Sequence, residues 1–445
     1  MNNRNKDLRA WLAIVTVVAV LARAGLWLTY PLASGNDTAT YQHLALSLRN
    51  NAGFDRYNGT RTPGYPLFLM LAGTEQQAYF IQLGLGFLTT LLVFYIAWRL
   101  SRRACFAGLL ALAHTLNLGQ LFFEAALLSE ALATFLLFAV LAGLIHLLDH
   151  RERPHWVILL LVGLAAAALA LTRPLFAFVP FWGAFFMLLF WRPVPFRLRV
   201  AATALASLPA LLTLLVWINF IHTNFNMLGM DSIGGYHLVN HVSSFFELAP
   251  DEVAPIRDTF LKFRAGRLAS TGSPVNTIWD AIPELMRQTR LNYYALGRVM
   301  GEISTRLIRE HPWLYAKNLA LGWWWFWRVG VFWLPGSFSS AGLNVLISAL
   351  MLAERAALFG VNLAFLGGSL ALLWPKTRRL FNMDLFLWFS VSAIWVTSVL
   401  QTLAEHGDNP RFLAPLQTLV VMVVAYWFIM LPGAKALFSA KERPA

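Results

Sequence analysis

The chain has 445 residues, of which 58% are hydrophobic and only 13% are charged, and its mean hydropathy is +0.58. In a soluble globular protein about a quarter of the residues are charged. These values therefore exclude that class and indicate a protein that crosses a membrane several times. The formal charge of +13 does not indicate a nucleic-acid partner, because the cations fall mostly in short connectors between apolar runs.

The apolar runs and the basic connectors predict an all-α polytopic membrane protein. Runs of about 20 apolar residues can cross a bilayer as helices, and the chain lacks the alternating ten-residue strands of a barrel. Arginine and lysine cluster at residues 99–103, 192–199 and 376–379, which the positive-inside rule places in the cytoplasm. The first helix, from about Leu8 to Tyr30, then runs outward.

This path divides the chain into three parts. Residues 1–222 form an N-terminal transmembrane module with a first outer loop at 31–63, residues 223–312 form one long polar outer loop, and residues 313–445 form a C-terminal transmembrane module. The last part leaves the helix count open, because residues 343–374 are either one tilted helix or two short helices that meet at Glu354. We therefore expect about ten or about twelve membrane helices.

The first outer loop contains the stretch DTATYQHLALSL, which begins at Asp37. Tyr41, Leu44, Ala45 and Leu48 recur at helical spacing, which predicts an amphipathic helix along the outer interface. Asp37 then has two interpretations, as the N-cap of this helix or as a catalytic carboxylate, and the sequence does not separate them.

The same loop ends in TRTPGYPLFL, where Arg61 precedes Thr62 and Pro63. A threonine followed by proline is typical of an N-cap and the first helical position, so we expect a second short helix to begin here. The free N–H groups of a helix start beside a guanidinium would form an anion site. The alternative is that Arg61 snorkels to a lipid headgroup.

Other charged residues fall at the outer ends of the predicted helices. Charge beside the hydrocarbon layer is costly, so its collection on one face indicates a functional site. These residues are Arg23, Glu124, Glu130, Arg173, Asp408 and Arg411.

Two further patterns each allow two interpretations. His237 and His241 are four residues apart, as two metal ligands on a helix would be, but a solvated loop explains them more simply. Trp323, Trp324, Trp325 and Trp327 could stack on a sugar, and an interfacial aromatic belt is the simpler explanation.

The ordered motifs resemble the polytopic GT-C glycosyltransferases, specifically the bacterial proteins of glycosyltransferase family 39, which are related to protein O-mannosyltransferases and lipid A aminoarabinose transferases. The resemblance covers most of the chain, and RTPGYPLFL is its most specific part. The other parts are DTATYQHLALSL, LLSEAL, ALTRP, WINFIHTNFNMLG and NPRFLAPL.

This resemblance implies a GT-C fold and an inverting transfer of a sugar from a polyprenyl-phosphate carrier. The acceptor would be an envelope glycan, lipid or protein on the periplasmic side of the bacterial inner membrane. Asp37 falls on the family's catalytic base and Glu130 falls near its second acidic position. Because Thr38 stands where many members carry another acid, no metal ligand is assigned and a divalent metal stays an option.

We predict two sets of binding residues from these positions. Guanidinium groups suit a leaving phosphate, and polar or aromatic groups suit a sugar. The predicted phosphate ligands are Arg61, Arg411, Arg23 and Arg173, and the predicted donor or acceptor pocket contains Tyr41, Tyr65, Glu124 and His406.

Two other functions stay open at this level. A lipid-sugar transporter or flippase would carry ionisable residues at mid-membrane and functional loops on both faces, whereas the inner connectors here are short and basic. An oligosaccharide or O-antigen ligase with a diphosphate carrier is an enzyme of similar location that the residues do not exclude.

Overall fold

The computed structural model describes residues 3–51, 53–149, 154–381, 383–406 and 409–431. Asp408 and the last residues of the predicted C-terminal module, 432–445, lie outside the described residues. The N-terminal half contains α1 Asn3–Thr29, α2 Thr38–Asn50, α3 Gly64–Ala72, α4 Glu75–Ser101, α5 Ala104–Thr115, α6 Leu118–Glu124, α7 Glu130–Asp149, α8 Trp156–Thr172, α9 Val179–Phe190 and α10 Phe196–Phe225. The C-terminal half contains α11 Gly234–Val242, α12 Ala254–Thr271, α13 Thr277–Thr289, α14 Tyr293–Glu310, α15 Pro312–Phe326, α16 Ala341–Ala371, α17 Pro375–Leu380, α18 Leu385–Ala404, α19 Asn409–Phe412 and α20 Ala414–Met430.

The apolar helices confirm an all-α protein that passes through a membrane several times. Six of them, α1, α4, α7, α10, α16 and α18, are long and apolar enough to cross a bilayer. The pair α5 and α6, bent by 57°, adds a seventh span if it is one crossing. The segments α8, Pro174–Phe190 and α20 are shorter apolar helices, so the described residues contain ten apolar segments in all.

Helix α16 decides the question that residues 343–374 left open. It runs for 31 residues without a break, so the alternative of two short helices that meet at Glu354 is wrong. Glu354 instead accepts hydrogen bonds from the backbone N–H groups of Leu118 at 2.9 Å and Gly119 at 3.1 Å. These groups begin α6, where the bend leaves them without helical partners, so the carboxylate satisfies them inside the apolar region.

The predicted interfacial helices of the first outer loop are α2 and α3. Helix α2 buries Tyr41, Leu44, Ala45 and Leu48, as their spacing predicts. Helix α3 begins one residue later than predicted, because Pro63 occupies its N-cap position and makes no side-chain cap. The prediction that Thr62 caps this helix is therefore wrong.

The predicted polar outer loop is mostly helical and has a core of its own. Helices α11 to α14 and the 3-10 turn at Ser243–Leu248 bury Tyr236, Phe246, Phe260 and Met300 against one another. Helices α13 and α14 are amphipathic, with Ile278, Ile282 and Leu285 turned inward on α13. We call this segment, residues 234–310, the outer unit.

Candidate active site

A cavity of about 2270 Å³ lies between the ends of the membrane helices and the outer unit. Its walls come from both parts of the chain, because α2, the residues before α3, α8, α9, α18 and α19 contribute on one side and α11, α13 and α14 on the other. Part of the wall is apolar and is formed by Leu175, Phe178, Phe181, Leu214 and Leu400. The cavity can thus accept a ligand that has a polar and an apolar part.

Asp37 lies on the polar wall and holds two arginines. Arg61 Nη2 donates to Oδ1 at 2.7 Å, and Arg411 Nη1 donates to Oδ2 at 2.7 Å. Asp37 also occupies the N-cap position of α2, but its side chain makes no capping hydrogen bond. The interpretation of Asp37 as only a helix cap is therefore wrong, since both of its oxygens are committed to guanidinium groups.

Arg411 joins Asp37 to the second acid. Its Nε donates a very short hydrogen bond to Glu130 Oε1. Arg173 Nη1 lies 3.1 Å from the same oxygen, which is an ion-pair distance without hydrogen-bond geometry. Glu130 is fully buried and does not line the cavity, whereas Arg173 and Arg411 do. Glu130 therefore contacts Arg173 and Arg411 on the side that faces away from the cavity.

The cluster carries one more positive than negative charge. The guanidinium groups belong to Arg61, Arg173 and Arg411, and the carboxylates belong to Asp37 and Glu130. Burial tends to raise the pKa of Asp37, but Arg61 and Arg411 outweigh burial and hold this pKa below its usual range. Asp37 is thus ionised at neutral pH, and the excess positive charge is suited to an anion.

Two glycines allow the arginines to reach this position. A Cβ on Gly64 would lie 2.5 Å from the backbone nitrogen of Thr172, so only glycine lets the start of α3 pack against the end of α8. A Cβ on Gly330 would lie 2.5 Å from the carbonyl oxygen of Pro410. These close approaches bring Arg61 beside the α8 terminus and fix the segment that carries Arg411.

Arg23 and Glu124 are brought together, but away from the cavity. Arg23 Nε and Nη2 donate to the two carboxylate oxygens of Glu124 at 2.8 Å each, and Nη1 donates to Thr115 at 2.7 Å. Both side chains are buried between α1, α4, α5 and α6, and neither lines the cavity. Each charge of this pair is satisfied by the other, which is what an ion pair within apolar helices requires.

The predicted pocket residues are also divided. Tyr41 lines the cavity, whereas Tyr65 lies behind it with its ring 4.8 Å from that of Tyr41 and its hydroxyl donating to Gln82. His406 is buried, and its ring stacks on Trp325 at 5.4 Å. It does not line the cavity.

Four cavity residues are absent from the predicted site, and these are His237, Trp279, Tyr293 and Glu405. His237 stands out in the sequence only through its spacing to His241, as a possible metal ligand. His237 Nδ1 lies 3.3 Å from Glu405 Oε1, so this pair joins α11 of the outer unit to the end of α18. Burial lowers the pKa of His237 and the Glu405 charge more than offsets it, so the pKa is raised. Glu405 lies in a polar turn at a helix end. Acidic residues are common in such turns, so its type and position in the sequence do not indicate a binding role.

The first of the two ambiguous patterns in the sequence is the histidine pair. His237 and His241 lie in α11, and His241 is fully buried, so a solvated loop is wrong. Among the residues that the structure describes, no group of three or more histidine, cysteine or acidic side chains is arranged to hold a metal ion.

The four tryptophans do not line the cavity, so the structure gives them no contact with a sugar there. Trp327 is fully buried, Trp323 stacks on Trp395 of α18 at 5.7 Å, and Trp325 stacks on His406. Trp324 lies against Phe359 of α16 at 6.0 Å. These side chains pack α15 against its neighbours.

No protein-family model and no curated protein sequence matches this chain. Among solved structures, the crystal structure of ArnT from Cupriavidus metallidurans bound to undecaprenyl phosphate matches it at 15% sequence identity, over 97% of this chain and 79% of that chain, with a TM-score of 0.35. These values assign neither the fold nor the chemistry of that protein to this chain. Its function has to be inferred from its own side chains.

Proposed function

We propose that this membrane protein is an inverting glycosyltransferase of the GT-C type, which moves a sugar from a polyprenyl-phosphate carrier to a cell-envelope acceptor. The observation that carries the proposal is Asp37 held between Arg61 and Arg411 on the wall of a large cavity whose other surfaces include apolar side chains. It is also the activity that the motif resemblance implies.

The donor has a charged part and an apolar part, and the cavity has a wall suited to each. Its phosphodiester would lie against Arg61, Arg173 and Arg411, whose planar guanidinium groups pair with phosphate oxygens in two-point contacts. Its prenyl chain would lie along Phe178, Phe181 and the other apolar lining residues, which belong to apolar helices or lie next to them.

The chemical step needs a base and an anion-stabilising group. The acceptor oxygen attacks the anomeric carbon from the side opposite the phosphate, its proton passes to a carboxylate oxygen of Asp37, and the bond from carbon to phosphate oxygen breaks with its electron pair. Polyprenyl phosphate thereby gains a negative charge as it leaves. Arginines that are already in place stabilise this developing charge more than they stabilise the ground state.

Asp37 is a weak base while both of its oxygens accept from arginines. A donor phosphate competes for Arg61 and Arg411, and each arginine that turns toward the phosphate removes a positive charge from the carboxylate. The pKa of Asp37 then rises toward its usual range, and the carboxylate becomes a better proton acceptor. Glu130 acts here as a positioning residue, because it keeps Arg173 and Arg411 at the cavity wall.

The cavity would face the periplasm. The site lies at the Glu130 end of α7, the Thr172 end of α8 and the Ala404 end of α18, whereas Arg99, Arg102 and Arg103 end α4 on the other side. Basic connectors mark the cytoplasmic side of an inner-membrane protein, so the site would open outward.

The proposal is tested by product analysis in nanodiscs. Purified protein is incubated with radiolabelled polyprenyl-phosphate sugars and cell-envelope extract, and the lipid products are separated by chromatography. Release of polyprenyl phosphate together with a glycosylated product supports the proposal. Release of polyprenyl diphosphate from a diphosphate donor contradicts it, as does movement of intact donor across the bilayer of proteoliposomes without cleavage.

A further inference from the structure

The outer unit contributes an aromatic wall to the cavity. Trp279 of α13 and Tyr293 at the start of α14 both line it, and both side chains are partly exposed. Tyr236 lies behind them, with its ring 5.9 Å from that of Trp279 and 5.0 Å from that of Tyr293. The two rings are thus supported from the core of the outer unit and open toward the cavity.

A polar network fixes the indole of Trp279. Its Nε1 donates to Asn276 Oδ1 at 3.3 Å, and the backbone N–H of Asn276 donates to Oδ1 of the buried Asn240 at 3.0 Å. Asn276 has a φ of 69°, a left-handed conformation that asparagine adopts more readily than most residues. The network determines the ring plane, and the partly exposed indole lines the cavity.

The His237–Glu405 pair lies between this indole and the catalytic cluster. The His237 ring is 5.8 Å from the Trp279 ring, and its Nδ1 is 3.3 Å from Glu405. Glu405 is close enough to Arg61 and Asp37 for their charges to act on it. An aromatic ring, the His237–Glu405 ion pair and the proposed base therefore follow one another along the cavity wall.

We propose that Trp279, His237 and Glu405 form an acceptor subsite for a sugar ring, which stacks on the indole and presents a hydroxyl toward Asp37. This deepens the proposed function and rests on it. The C–H groups of a sugar face carry partial positive charge and suit the negative face of an indole, and its hydroxyls suit the imidazole and the carboxylate.

Two arginines that line the cavity from the outer unit are matched by acids. Arg267 Nη1 pairs with Asp280 at 2.8 Å, and Arg306 pairs with Glu310 at 2.9 Å and with Glu252 at 2.9 Å. A sugar hydroxyl can bind beside these pairs without displacing an acid, so neutral glycosides are suitable probes.

Binding is measured without turnover by saturation-transfer NMR. The probes are the methyl glycosides of glucose, galactose, mannose and arabinose, added to the full protein in nanodiscs. We expect a signal for at least one glycoside that W279A reduces by about tenfold and W279F partly retains, because an aromatic face is restored. W313A is the control, since Trp313 is exposed and lies outside the cavity. Equal signals for wild type and W279A, or none for any glycoside, would overturn the subsite.

Turnover separates this inference from the proposed function. With a polyprenyl-phosphate donor and the bound methyl glycoside, W279A should raise the apparent KM for the glycoside by about tenfold and leave the donor KM within about twofold. A change in donor KM alone would overturn the acceptor assignment while transfer itself stands. If wild type binds the glycoside but cleaves no donor, the proposed function fails and the sugar subsite stands. Transfer to serine or threonine peptides, with no glycoside transfer, would refute the acceptor class.

Discussion

Asp37→Asn tests the centre of the site, because asparagine keeps the shape of the side chain and removes its charge. The carboxylate now accepts two hydrogen bonds at 2.7 Å from Arg61 and Arg411. An amide keeps one acceptor oxygen and turns an NH₂ group toward the other guanidinium. It also raises the excess charge of the cluster from one to two, since one of the two carboxylates is lost.

These changes predict opposite effects on chemistry and on donor binding. Loss of a general base costs about 100-fold to 10,000-fold in turnover, which is roughly 3 to 5 kcal/mol in the barrier. The extra positive charge should hold the donor phosphate at least as tightly as in the wild type. We therefore expect kcat to collapse while the donor KM stays constant or falls.

The assay follows release of polyprenyl phosphate at several donor concentrations, with equal amounts of folded protein in nanodiscs. Asp55→Asn is the matched control, because Asp55 belongs to the same outer loop, is exposed and does not line the cavity. Turnover above about half of the wild-type rate in Asp37→Asn would refute its role as base. A large rise in donor KM at unchanged kcat would show a binding role instead.

Three further predictions follow from other contacts. Glu124→Gln leaves Arg23 buried without its ion-pair partner and should destabilise the protein by about 3 kcal/mol or more, while turnover per folded molecule, measured on the monodisperse fraction, stays within about twofold. Gly64→Ala inserts a methyl group 2.5 Å from a backbone nitrogen of α8. The free energy of unfolding should therefore fall by about 1 to 3 kcal/mol, and the donor KM should rise because Arg61 shifts. His237 has a pKa raised above 6.5, since Glu405 outweighs the opposing effect of burial. The stability from this pair is therefore complete between pH 4.5, the usual pKa of a glutamate, and pH 6.5, and it is lost as pH rises through the raised pKa of His237. His237→Gln should remove this pH dependence of the thermal midpoint above pH 6.5.

The membrane path follows directly from the sequence, because hydropathy and basic connectors report on the solvent that each segment meets. Helix α2 could also be predicted from the sequence, because Tyr41, Leu44 and Leu48 recur with the period of one buried helix face. Of the two alternatives for residues 343–374, the break at Glu354 is wrong for a physical reason. A charged residue in a span can stay helical when a partner satisfies it, and here the partner is the free N-terminus of α6.

Which charges would meet could be predicted only in part. Asp37, Arg61, Arg173, Glu130 and Arg411 could be placed on one face by topology, and they do converge there. Topology placed Arg23 and Glu124 on that face as well, but both point into the bundle and pair with each other. Depth along a helix can be estimated from sequence, whereas the direction of a side chain depends on which helices pack around it.

The outer unit shows why the acceptor side was the least predictable. Trp279 and His237 reach the cavity only because α11, α13 and α14 pack into a unit that turns them toward the membrane helices. His237 then meets Glu405, which is 168 positions further along the chain by their numbering. Residues so far apart in the chain form no short sequence motif from which their contact could be predicted. By contrast, Arg61 directly precedes Thr62 and Pro63, whose types indicate a helix start within the motif TRTPGYPLFL. An arginine in such a local motif can be predicted from one sequence, whereas a cavity wall assembled from separate helices needs the fold.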